Sequence, residues 1–354
     1  MGISISPVHI LACMGTVVCL FIAERAVDFL FFHFSTPAKP LESYRRRGPD
    51  PAYALITGAS AGIGYGIGQA LVRNGFGVIL LGHKEAELAE AAARLVAQVP
   101  PEYSTGAGVD AGAFVKTIAM DAQTATPQEL EDALRATVID AGLRVSILVN
   151  NVGSCPVALP AWREHATYSP GDIDAVIDLN TRFMARLTAL MVPVLAHNGA
   201  GADAQGASFG THRRSLIINL SSAGNVGLPW MVMYGATKAF NLAFSRGLAR
   251  ELEMSPETKH IDCLCIVPGD VRSQGNCLGS SKGSPDSDTY GAYIVNRVDG
   301  AVRRGWRDVS PYWLHHLQLA LVGLIPESHR TKGVVDLMRQ KKTAWDEVDK
   351  PKDE

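Results

Sequence analysis

Tyr53-Ala54-Leu55-Ile56-Thr57-Gly58-Ala59-Ser60-Ala61-Gly62-Ile63-Gly64 decides the fold of this chain. Its first four residues read as a short buried strand, its glycines as a tight turn, and residues 67–72 behind it carry an apolar helical pattern. Strand, glycine turn and helix in that order are what a dinucleotide site requires. Gly58 permits the tight turn, Gly62 lets the backbone approach a pyrophosphate, and Gly64 allows helix to pack closely on strand. The helix N-terminus adds amide donors and a favourable dipole for phosphate, which brings Ser60, Ala61 and Ile63 into the same cradle.

Two more continuous apolar strands end in polar groups. Val145-Ser146-Ile147-Leu148-Val149 runs into Asn150-Asn151-Val152-Gly153, and Leu216-Ile217-Ile218-Asn219-Leu220 runs into Ser221-Ser222. In an open parallel sheet, ligands bind at the carboxyl ends of the strands, so these groups converge on the crevice that the glycine turn faces. The expected fold class is therefore α/β, a doubly wound Rossmann-type parallel sheet with helices on both faces. Downstream, Tyr234-Gly235-Ala236-Thr237-Lys238 places a phenol and an ammonium four residues apart, on one face of a helix. A phenol with its usual pKa of about 10 exchanges protons poorly near neutrality, and a cation beside it stabilises the phenolate and brings it toward the working range. Tyr234 then suits general acid/base work.

Taken together, the chain resembles the classical short-chain dehydrogenase/reductase family over roughly residues 50–275. The resemblance rests on 57–64, on Asn150 to Gly153, on Asn180 in Asp178-Leu179-Asn180, on the serine pair, on Tyr234 and Lys238, and on Pro268-Gly269-Asp270-Val271. It implies hydride transfer between a nicotinamide and a carbonyl or alcohol carbon. Tyr234 would protonate the carbonyl oxygen, Lys238 would lower the Tyr234 pKa and hold the nicotinamide ribose, and a serine would orient the carbonyl. Asn180, at a helix interruption, would carry a water relay. Counting 13 residues back from Tyr234 reaches Ser221, whereas aligning on the strand end reaches Ser222 with a loop one residue shorter, so both stand as the catalytic serine. Asn150, Pro268, Gly269 and Val271 join the cofactor contacts by the same resemblance, which also implies a homodimer through the helices around Tyr234 and Asn180.

Cofactor choice turns on the residues after the second strand, His83-Lys84. An acidic residue there would grip the 2'-hydroxyl of NAD; none is present, and His83 and Lys84 suit a 2'-phosphate, which favours NADP(H) over NAD(H). Asp121 matches the family position beside adenine, or else caps a helix.

The N-terminus is of another kind. Residues 3–23 form a stretch of about 21 without a charge, long enough to cross a hydrocarbon core. A secretory signal is the competing reading, but no basic residue precedes the run. After Glu24, Arg25 and Asp28 comes a second apolar patch at 29–34, either a membrane-surface extension or an amphipathic helix. Arg45-Arg46-Arg47 follows, and the positive-inside rule puts the catalytic domain on the cytosolic side. Cys13 and Cys19 fall within the membrane run, Cys155 stands alone, and Cys263, Cys265 and Cys277 have no zinc spacing, so no disulfide framework is expected. The tail Lys350-Pro351-Lys352-Asp353-Glu354 either matches a di-lysine retrieval signal of the endoplasmic reticulum or carries its lysines by chance.

These readings divide the chain into a membrane anchor at 1–35, a basic linker at 36–50, a catalytic domain at 51–310 with a substrate loop near 273–290, and an apolar helix and charged tail at 311–354. Flexible loops are expected at 98–110 and 198–214. Residues 290–303 read as helix, and 312–325 as an apolar stretch too short to span. His315 and His316 are adjacent and cannot share a helix face, which argues against a metal site. A net charge of -2 offers no basic field for nucleic acid. Within the family, the anchor, the Asn-Asn-Val-Gly motif and the lysine-bearing tail resemble the very-long-chain 3-oxoacyl-CoA reductase and 17β-hydroxysteroid dehydrogenase branch. That resemblance implies a hydrophobic substrate, a long-chain 3-oxoacyl-CoA first, with a steroid, a retinoid or another lipid ketone remaining open. A silent NADP(H)-binding membrane scaffold is the alternative of another class.

Overall fold

The computed structural model describes residues 6–35, 39–45, 50–104, 110–154, 162–200, 214–278 and 280–348. The chain forms two compact units, Met1–Ala38 and Lys39–Glu354. Arg46, Arg47, Cys155, most of the 198–214 insertion, residues 105–109 and the terminal lysines lie outside the described residues.

The first unit is one helix, α1 (Pro7–Phe34), opened by a proline at its first turn. Its most apolar window has a mean hydropathy of 2.0 and no buried residue, and among the described residues it is the single helix long and apolar enough to cross a membrane. The apolar patch at 29–34 continues the same helix, since α1 runs unbroken through Glu24, Arg25 and Asp28.

The second unit is built on seven parallel strands: β1 (Tyr53–Thr57), β2 (Gly77–Gly82), β3 (Val115–Ala119), β4 (Val145–Asn150), β5 (Ser215–Leu220), β6 (Ile261–Ile266) and β7 (Asp308–Val309). Their order is β3-β2-β1-β4-β5-β6-β7. The order reverses between β1 and β4, so the crossovers leave in opposite directions there and open a crevice at the carboxyl ends. The register brings those ends level, with Ile56 beside Val149, Asn150 beside Asn219 and Leu220 beside Ile266. Nearly all residues of β1, β2, β4, β5 and β6 are buried, as a sheet covered on both faces demands.

Helices α2 (Gly62–Arg73), α3 (Glu85–Val96), α4 (Pro127–Leu134), α5 (Pro170–Ile177), α6 (Phe183–Ala200), α7 (Val232–Met254) and α8 (Ser287–Arg303) cover the sheet. One core joins Leu55, Ile79, Leu148, Leu187, Ile217 and Leu252 across strands and helices. On the opposite face α2 and α8 approach until backbone meets backbone. A Cβ on Gly66 would lie 2.4 Å from the Ser287 carbonyl oxygen, and one on Gly291 would lie 2.2 Å from the Gly66 carbonyl carbon. Among the described cysteines none is bonded, and Cys263 and Cys265 are buried in β6.

Two segments differ from the sequence reading. The linker is ordered over 39–45: Leu41 and Tyr44 are buried, the Leu41 N–H donates to Asp299 at 2.6 Å, and the Tyr44 hydroxyl donates to Asp262 at 2.8 Å. Beyond α9 (Trp313–Gly323), which the apolar stretch anticipated, a further helix α10 (Glu327–Val348) occupies what was expected to be a charged tail, and both lie in the same compact unit as the sheet. The polar composition of α10 hid it, since its contact with the domain runs through a few residues and not a broad apolar stripe.

Because Gly66 has no room, Gly66→Ala should destabilise the domain by about 1–3 kcal/mol, the usual cost of overpacking. Gly247→Ala, on an open face of α7 with nothing within 4 Å, should be neutral or slightly stabilising. Thermal melts of the two variants distinguish close packing from a general intolerance of alanine.

Candidate active site

The glycine turn between β1 and α2 has the geometry its residues imply. Gly58 and Gly62 both have φ of +62°, in the left-handed region that side chains resist. A Cβ on Gly64 would sit 2.3 Å from the Gly58 carbonyl oxygen, so only glycine lets the helix return this closely on the turn. Ala61 caps α2 with no side-chain hydrogen bond, and Ser60, Ala61, Gly62 and Ile63 are half-exposed. First-turn amides at an open, uncapped N-terminus are the donors a pyrophosphate would take.

The turn is braced from β4. The Thr57 hydroxyl oxygen accepts the Asn151 N–H at 2.9 Å and the Val152 N–H at 3.0 Å, while Asn151 Nδ2 donates to the carbonyls of Thr57 and Gly58 at 2.9 Å each. Thr57 and Asn151 stand in the motifs quoted above without a role of their own, although a polar residue closing an apolar strand at the turn was the available signal. Asn150 instead turns inward. It is buried, and its Nδ2 donates to Thr188 and Asn219 at 2.9 and 2.7 Å.

Lys238 is the electrostatic centre. It projects from α7 into the sheet end, fully buried, with Nζ 3.2 Å from the Leu220 carbonyl oxygen and 5.7 Å from the Tyr234 ring centroid. Burial pushes its pKa down to about 8. Gly153 makes room for it, since a Cβ there would be 2.8 Å from Nζ and 3.0 Å from Asn180 Oδ1. Asn180 lies in a π-helical turn (Asp178–Arg182) between α5 and α6, the expected interruption. It is buried, accepts the Ser154 N–H at 2.9 Å, and donates to the Ser154 carbonyl and the Thr237 hydroxyl at 3.0 and 3.1 Å.

The two serines are placed differently. Ser221 is buried and its hydroxyl donates to the Lys238 carbonyl at 2.6 Å. Ser222 is half-exposed and its Oγ accepts the Gly224 N–H at 3.1 Å, which leaves its own proton available to a ligand. Tyr234 is half-buried in the first turn of α7.

His83 and Lys84 follow β2 and are exposed, with Lys84 paired to Glu87 at 2.7 Å. Asp121 is exposed and bonds the Gln123 N–H at 2.9 Å. It does not cap α4; Thr126 does, in a reciprocal capping box with Glu129. Pro268 and Val271 are buried after β6, and Gly269 lies between them against His315. Among the described residues no cluster could hold a metal ion.

A profile of the short chain dehydrogenase family matches residues 52–277. A very-long-chain 3-oxoacyl-CoA reductase of Aspergillus clavatus is 30% identical over 84% of this chain and 77% of its own length. The reductase of the same name from Yarrowia lipolytica is 27% identical over 89% and 75%. Among solved structures, a short-chain dehydrogenase of Sphingobium yanoikuyae in complex with NADPH superposes with a TM-score of 0.54 and 25% identity, over 78% of this chain and 97% of that one.

A buried ammonium with one carbonyl partner costs stability. Its folded pKa of about 8 lies below the ordinary 10.5, so below pH 8 both states are protonated and the cost is constant. Between pH 8 and 10.5 the unfolded chain holds the extra proton, and stability rises with pH. Lys238→Met should therefore raise the melting temperature of the cofactor-free protein by roughly 2–5 °C at pH 7 and flatten that rise, while abolishing turnover. A lower melting temperature for the variant would contradict this electrostatic reading.

Proposed function

The chain belongs to the short-chain dehydrogenase family of oxidoreductases, and on that premise we propose that it reduces the keto group of a long-chain 3-oxoacyl-CoA, as in fatty-acid elongation. The observation that carries the reading is the convergence of Tyr234, buried Lys238 and Asn180 at the strand ends beside an open glycine turn. The similarity to reductases of that name over most of both chains supports the substrate, and so does a helix suited to a membrane, where acyl chains of this kind reside.

The first-turn amides of α2 would hold the pyrophosphate, and the Pro268–Val271 segment would face the nicotinamide end. When bound, the dinucleotide supplies the hydride. Ser222 donates to the carbonyl oxygen and orients it; Ser221, whose proton is committed to Lys238, shapes the lysine and touches no substrate. Tyr234 gives its hydroxyl proton to the same oxygen as negative charge develops there. The Lys238 ammonium stabilises the phenolate that remains, and Asn180, fixed to Ser154 and Thr237, holds the path by which Tyr234 regains a proton.

NADPH is the preferred cofactor in this account, because exposed His83 and Lys84 stand where an acid would select NAD. The Lys84–Glu87 pair is exposed and worth at most about 1 kcal/mol, so Lys84 turns to a phosphate at little cost. We place the protein in the endoplasmic-reticulum membrane with the catalytic unit in the cytosol.

Detergent-solubilised protein should oxidise NADPH with long-chain 3-oxoacyl-CoA and much less with ketosteroids or retinal. Turnover confined to those ketones would move the substrate, and none at all with tight NADPH binding would favour a silent scaffold. Ser222→Ala should lower kcat by about 100-fold or more, and Lys84→Met should raise the KM for NADPH by about 10-fold while leaving that for NADH unchanged. A Ser221→Ala loss exceeding that of Ser222→Ala would reverse the serine assignment.

A further inference from the structure

Both helices that follow the last strand attach to the segment after β6. From α9, buried His315 lies along the backbone at Gly269 and Asp270: its Nδ1 accepts the Gly269 N–H at 3.2 Å and its Nε2 donates to the Asp270 carbonyl at 3.1 Å. That pair of bonds requires the neutral ring, which burial also favours by lowering its pKa. A Cβ on Gly269 would lie 2.7 Å from the ring, so glycine is what lets the imidazole sit there.

From α10, Lys341 reaches the Asp270 carboxylate at 2.8 Å, with the two side chains only 13% and 18% exposed. Asp270 also accepts Asn276 Nδ2 at 2.7 Å and the Ser281 N–H at 2.6 Å, and Asn276 holds the Val271 carbonyl at 2.9 Å. Burial works to raise the Asp270 pKa, but Lys341, the Ser281 amide and Asn276 outweigh it and bring it down to about 2. A partly desolvated, multiply bonded pair of this kind is of a different order from a rim contact, since removing one partner strands the other's charge. Nearly one turn earlier on α10, buried Met338 packs with Trp162, Trp230 and Met231. Trp230 has a φ of +61°, a strained conformation for an aromatic residue, and stands four residues before Tyr234. One helix thus grips the segment after β6 and the turn that leads into the catalytic helix.

We propose that Lys341 is a positioning residue for cofactor binding: through Asp270 it fixes the Pro268–Val271 segment, and α10 acts as a clasp that sets this segment against the Trp230–Met231 turn. The inference rests on the assignment of 268–271 to the cofactor, but not on the identity of the ketone.

The test uses the full chain in detergent, with NADPH affinity read from tryptophan fluorescence and KM and kcat from NADPH oxidation. Lys341→Met should raise the NADPH Kd and KM by at least about 10-fold, and Lys341→Arg should restore both to within about threefold of wild type. Asp270→Asn should weaken binding similarly, and the double variant should be no weaker than the worse single one, as coupled partners require. Lys342→Met, which breaks an exposed pair with Asp346, should change neither. A folded Lys341→Met protein with unchanged NADPH Kd overturns the proposal, and so does equal weakening in Lys342→Met. If the methionine variant does not fold, Lys341→Gln is read by the same criterion. Wild-type protein that binds NADPH but reduces no acyl-CoA would refute the proposed substrate and leave the affinity comparison intact.

Discussion

One buried ammonium organises this molecule. Placing Lys238 at the ends of β4 and β5 removes it from water, and the single carbonyl of Leu220 returns only part of what hydration gave. The neighbouring features accommodate that charge. Gly153 has no side chain because Nζ occupies its place, the α5–α6 helix opens into a π turn so that Asn180 reaches the same point, and Ser221 ties the backbone of Lys238 to the strand end. In the proposed mechanism, the stability given up at this position is what makes a phenol four residues away useful near neutral pH.

The parallel sheet is the frame that makes such a placement reproducible. Five strands buried along their length fix the level of their carboxyl ends, and the reversal between β1 and β4 leaves a crevice above that edge. Thr57 and Asn151 join the glycine turn on one side of the reversal to the end of β4 on the other. His315 and Lys341 close over the segment after β6, and Met338 closes over the entry to α7.

Much of this was legible in the sequence because the information is local. The spacing of Gly58, Gly62 and Gly64, the apolar runs that become β1, β4 and β5, and the four-residue interval of Tyr234 and Lys238 each specify a conformation within a dozen residues. What escaped is non-local. Lys341 meets Asp270 across 71 residues and Asn151 meets Gly58 across 93, and no periodicity encodes such a meeting. The linker at 39–45 looked like a spacer because Leu41 and Tyr44 are isolated apolar residues in a polar stretch, yet both are buried through partners more than 200 residues away. Ser221 and Ser222 differ in the partners their hydroxyls meet, which spacing does not carry.

We propose Tyr234, with the Lys238 ammonium 5.7 Å from its ring centroid, as the proton donor for carbonyl reduction. The test is single-turnover NADPH oxidation by Tyr234→Phe with saturating cofactor and long-chain 3-oxoacyl-CoA, alongside NADPH affinity. The affinity is expected to stay within about threefold of wild type and the rate to fall by about 1,000-fold, the scale of a lost general acid. A phenylalanine variant that binds NADPH normally and reduces the ketone within about tenfold of the wild-type rate would contradict the proposal.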